Sequence, residues 1–103
     1  MNGYTIIFKA KLWLYGGEVG WHFVSVPKVH SAKIKKAFAG MTRGFGSVPV
    51  LVQIGSSEWK TSIFPDSKSG MYLLPVKAVV RKKESLVAGS LVSVQLTVQI
   101  DQL

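Results

Sequence analysis

Cysteine is absent from this 103-residue chain, which excludes a disulfide framework and any thiolate-ligated zinc or iron–sulfur centre. Acid is scarce. Five Asp and Glu stand against thirteen Lys and Arg, a formal net charge of +8. The acids Glu18, Glu58, Asp66, Glu84 and Asp101 are scattered singly, and His22 and His30 are the only imidazoles. No pair among them has the spacing of general acid–base catalysis or of metal ligation, and the hydroxyls of Thr61 and Ser62 have no evident base. The expectation is therefore no catalytic residue, no metal, no cofactor and no enzyme. Long apolar runs are also missing. Nothing nears the roughly 20 residues of a membrane span, and Lys9 and Lys11 cut the first apolar stretch, which has no basic segment before it. A cytoplasmic protein without a membrane partner is the default.

With 48% hydrophobic residues, residues 1–103 suffice for one core and one domain. Tyr4 to Leu14 alternates, with Tyr4, Ile6, Phe8, Ala10, Leu12 and Leu14 on one side, which predicts a half-buried strand. Tyr15-Gly16-Gly17-Glu18 is turn chemistry. Trp21 to Val26 is extended with two largely apolar faces and ends at Pro27. Ile34, Ala37 and Phe38 then share one helical face, with His30 or Ser31 as N-cap, Gly40 as stop and Lys33, Lys35 and Lys36 outside.

The densest information lies between Met41 and Val76. Arg43-Gly44-Phe45-Gly46-Ser47 is a loop. Val48 to Ile54 and Glu58 to Phe64 form a hairpin across Gly55-Ser56-Ser57, in which Val48, Val50, Val52 and Ile54 face Trp59, Thr61 and Ile63. Pro49 places the first strand's start at an edge or a bulge, because proline cannot donate to a ladder. After a loop from Phe64 to Gly70, Met71 to Leu74 reads as a strand. Pro75 reads as the first turn of a helix whose stripe is Val76, Val79 and Val80, with Arg81, Lys82 and Lys83 at its C-terminus. In Leu91 to Ile100, Val92, Val94, Leu96, Val98 and Ile100 point inward. Six strands and two short helices point to a mainly β fold, a small closed or nearly closed barrel with helical caps.

Trp21-x-Phe23-Val24-x-Val26-Pro27, Arg43-Gly44-Phe45-Gly46-Ser47-Val48, Ile54-Gly55, Trp59-x-Thr61-Ser62-Ile63-Phe64-Pro65 and Leu74-Pro75-Val76-Lys77-Ala78-Val79-Val80-Arg81-Lys82 resemble, in this order, the domain-of-unknown-function family DUF1905. The resemblance runs from about Phe8 to Leu96. It implies a double-split β-barrel, distantly related to swapped-hairpin transcription factors of the AbrB type, and it implies no established activity. Leu74 to Val94 is similar in layout to the strand–helix–turn–strand hairpin of those factors. Ser85 stands where a helix-ending glycine is usual, and Ser90 follows Gly89 where an aspartate is usual.

The excess of cations biases partners toward anions. Arg43, Gly44, Gly46 and Ser47 are candidates for an anion nest, with Arg43 as a bidentate clamp; the other reading is a tight connection shaped by glycine. Lys77 and Arg81, four apart on one helix face, could join Arg43 in one basic patch or be ordinary solvated charges. Trp21, Phe45 and Trp59 could be stacking platforms for bases, although aromatics on alternating strands of a small domain read first as core. Three functions follow for a chain expected as a monomer or homodimer: a binding module for an anionic ligand or an acidic protein; a nucleic-acid-binding protein; and a structural protein, dimeric or dependent on a fused partner, with the second face of Trp21 to Val26 as its interface.

Overall fold

The computed structural model describes residues 3–16, 20–38, 40–42 and 44–103. Six antiparallel strands close a barrel: β1 (Gly3–Leu14), β2 (His22–Ser25), β3 (Val48–Ile54), β4 (Ser57–Pro65), β5 (Tyr72–Pro75) and β6 (Leu91–Gln99), in the spatial order β1-β2-β5-β4-β3-β6. β6 returns to β1, with Gly3 opposite Gln99 and Lys11 opposite Leu91. Alternation along these strands fixes the inside. Ile6, Phe8, Leu12, Val24, Val26, the β3 residues Val48, Val50, Val52 and Ile54, and Val92, Val94, Leu96 and Val98 are all buried in one core. Each fully buried Val, Leu or Ile contributes about 1.5–3 kcal/mol relative to exposure.

The β3–β4 hairpin has the register expected from its sequence, with Val48, Val50 and Val52 opposite Ile63, Thr61 and Trp59. Ser57 belongs to the strand rather than the turn. Gly55 has φ +57 and Ser56 a negative φ, a type II′ turn of two residues that matches the strand twist. β6 reaches β3 only from Val50 onward, so the chain before it is unpaired on that side and Pro49 is accommodated there.

Helix α1 (Lys28–Ala37) begins three residues before the expected cap, directly after Pro27, which occupies the N-cap position. Ser31 lies inside the first turn instead. Its buried Oγ donates to Val26 O at 2.8 Å and accepts from the Tyr72 N–H at 3.0 Å, tying α1 to β5. The inward face is therefore Ser31, Ile34 and Phe38, and Ala37 is exposed.

Helix α2 (Ala78–Lys83), by contrast, starts later than expected. Pro75 ends β5 opposite Phe23, and Lys77 is the N-cap. Val76 and Val80 are buried, but Val79 is 69% exposed, because the late start rotates it out of the stripe. Arg81, Lys82 and Lys83 occupy the last turn, as expected. Beyond the strand of β6, Ile100 enters a 3-10 turn (Ile100–Gln102) and faces outward rather than inward.

Candidate functional site: a cationic groove beside β4

β4 pairs with β3 along its length from Ser57 to Ile63, but with β5 only at Phe64↔Leu73 and Pro65↔Tyr72. The cause lies in β5. The Val26 N–H donates to Tyr72 O at 2.8 Å and the Val76 N–H to His22 O at 3.0 Å, so the even-numbered residues of this segment turn their backbone groups toward β2. The odd-numbered ones turn toward β4. After Leu73 the next odd residue is Pro75, which has no N–H to give, and the ladder ends there.

The chain then rises into α2, and α2 is tethered at its far end. Glu84, just past the helix, accepts Oγ–H bonds from Ser57 at 2.7 Å and Ser56 at 3.0 Å. These bonds, the one from Ser57 above all, hold the Glu84 carboxyl below the usual carboxylate range. α2 thus spans from the end of β5 to the β3–β4 turn. Between it and the unaccompanied part of β4 runs a half-open groove of about 610 Å³.

Three cations, Lys60, Lys77 and Arg81, and three aromatics, Trp21, Trp59 and Phe64, line this groove, and its described lining contains no carboxylate. The β2–β5 register, carried one pair past His22 and Val76, sets Trp21 opposite Lys77. His22 Nδ1 bonds the Gly20 carbonyl at 2.7 Å and therefore carries the proton, which fixes the backbone leading into Trp21. One Nη1–H of Arg81 donates to Val76 O at 3.1 Å, which pins the guanidinium at the head of α2 with its other donors unspent on that bond.

Four residues singled out in the sequence, Trp21, Trp59, Lys77 and Arg81, therefore meet in one place. The glycine loop does not join them: Gly44, Gly46 and Ser47 are absent from the groove lining. Gly44–Gly46 forms a 3-10 turn whose Gly46 backs onto Pro65. Arg43 lies outside the described residues. Phe45, with φ +60, is 98% exposed. The expectation that these aromatics are core is corrected for Trp21, which is 53% exposed, and for Phe45, whereas Trp59 is half-buried and packs against the core.

Trp21 also begins a cluster on the outer face of β1 and β2, stacked on Phe23 at 6.0 Å between ring centroids, with Trp13 and Tyr15 beyond. Lys60 and Phe64 escaped the sequence reading. Their signal was indirect, since Pro75 had to be recognised as the end of a strand before β4 could be seen to lose its neighbour. Among the described residues no cluster of three His, Cys, Asp or Glu side chains is placed to hold a metal, and no helix is long and apolar enough to cross a membrane.

The closed six-stranded barrel with two short helices is the mainly β fold class expected from the sequence. The model of the domain of unknown function DUF1905 covers residues 8–96, and the chain belongs to that family. No curated protein matches it.

Proposed function

We propose that this chain is a non-enzymatic, cytoplasmic binding module whose groove takes an anionic ligand or an acidic partner. The observation that carries the reading is the convergence of Lys60, Lys77 and Arg81 on one groove whose described lining has no carboxylate. Each cation in such a cleft gains from the low-dielectric walls and from the absence of a competing acid. The aromatic walls supply apolar contact, and the volume lies within the roughly 300–1,000 Å³ typical of sites that bury small ligands. The test is tryptophan fluorescence during titration with polyglutamate and with inorganic pyrophosphate. At least one is expected to bind at low salt and to lose at least tenfold in affinity in Lys77→Glu; no response to either would remove the reading.

A second reading is single-stranded nucleic acid, favoured by Trp21 and Trp59 lining the same groove as the cations. Binding of a dT oligomer whose affinity falls steeply with added salt supports it. Absence of binding at low salt would count decisively against it.

A further inference from the structure

The two-residue turn at Gly55-Ser56 makes Ile54 and Ser57 a hydrogen-bonded pair. By alternation Trp59, Thr61 and Ile63 also bond β3, while Glu58, Lys60, Ser62 and Phe64 turn their backbone groups the other way. The far end of the strand agrees, since Phe64 pairs with Leu73 and the Asp66 N–H donates to Met71 O at 2.9 Å. Ser62 thus faces Pro75, which cannot donate to its carbonyl. Lys60 faces the groove, where no strand stands opposite.

A short open sheet edge therefore forms one wall of a cationic groove, and a helix forms the other. α2 is fastened to the start of β4 through Glu84, and farther along the groove separates the two. An added strand needs about 4.8 Å from its neighbour.

We infer that the partner is an extended acidic peptide segment that adds as a short strand to β4 at Lys60, beneath α2; this rests on the anionic-partner reading above. Main-chain pairing to Lys60 N–H and Lys60 C=O gives the peptide its register. The residue opposite Lys60 and one on either side of it make roughly three peptide residues in contact, at about 3.3 Å each. Alternate side chains of such a segment face opposite ways. Carboxylates on the face of Lys60 meet Lys60 and Lys77, with Trp21 beside Lys77 on that same face, and apolar side chains on the other face meet Trp59. A second copy of this chain is disfavoured as the occupant, because it would bring Lys60 against Lys60.

Selection of a displayed random heptapeptide library on the intact protein, followed by backbone N-methylation of the best peptide at each position in turn, tests the inference. The expected result is enrichment of Asp and Glu, a loss of at least tenfold on N-methylation at alternating positions, and slowed hydrogen exchange at the Lys60 amide. Selection of no peptide, or of peptides without acidic residues, overturns it. Acidic peptides indifferent to N-methylation but weakened by Lys77→Glu overturn strand addition while leaving the anionic-partner reading intact. If neither peptides nor the polyanions above bind, both fall.

Discussion

Three serines and one glutamate carry more of this structure than their small side chains suggest. Buried Ser31 serves two backbone groups at once, Val26 O and Tyr72 N–H. Ser31→Ala leaves both without that partner, and an unsatisfied buried group costs about 1–3 kcal/mol. Urea unfolding should show a loss of about 2–3 kcal/mol. Ser85, with φ +56, ends α2 in a left-handed conformation. The Leu86 N–H to Arg81 O bond and the Ser85 N–H to Lys82 O bond around it make a Schellman closure. Ser85→Gly relieves the steric strain of a left-handed non-glycine at the cost of a more flexible unfolded chain, and thermal unfolding should report a gain of about 0.5–1 kcal/mol. Ser90 accepts the Val87 N–H at 3.0 Å and so caps that turn. Glu84 is the pH-sensitive member. Because its folded-state pKa is lowered, first by Ser57 and then by Ser56, its contribution is present above the ordinary carboxylate range and is lost as pH falls through the folded value. Comparison of wild type with Glu84→Gln across pH should show a stability difference at neutral pH that shrinks in acid.

Among the elements, strands were legible and helix boundaries were not. Period-two alternation matches burial from Tyr4 to Leu12 and from Leu91 to Gln99 because one side of each strand faces a packed interior, and it fails at Leu14, which is exposed. Both helices are too short for periodicity to fix their starts, so prolines decide the matter, and each proline was open to two readings. Pro27 occupies the cap itself. Pro75, taken as the opening of α2, is the last residue of β5, and its missing N–H creates the groove. Pro75→Val restores a donor opposite Ser62. It should let the β4–β5 ladder advance by one bond, change stability by less than about 1.5 kcal/mol, and weaken binding of the selected peptides. A new slowly exchanging amide at residue 75, seen by NMR, would accompany that change.

At the scale of the whole molecule, closure was inferred from strand number and the need to cover edges, but the order β1-β2-β5-β4-β3-β6 requires pairings far apart in sequence that no local pattern encodes. The same limit explains the site. Trp21 and Lys77 are distant in the chain and meet only through the β2–β5 register, whereas the glycine loop was conspicuous in sequence and stands outside the groove. One further feature, the side-by-side course of the first and last strands, bears on architecture. Gly3 and Gln99 are direct neighbours, so a polypeptide could enter and exit the barrel through a single doorway. A short linker joining those two strands, with new ends cut at exposed Ser67 and Lys68, should give a circular permutant with an unaltered circular dichroism spectrum. It also suits the barrel to insertion as a cassette within a loop of another protein.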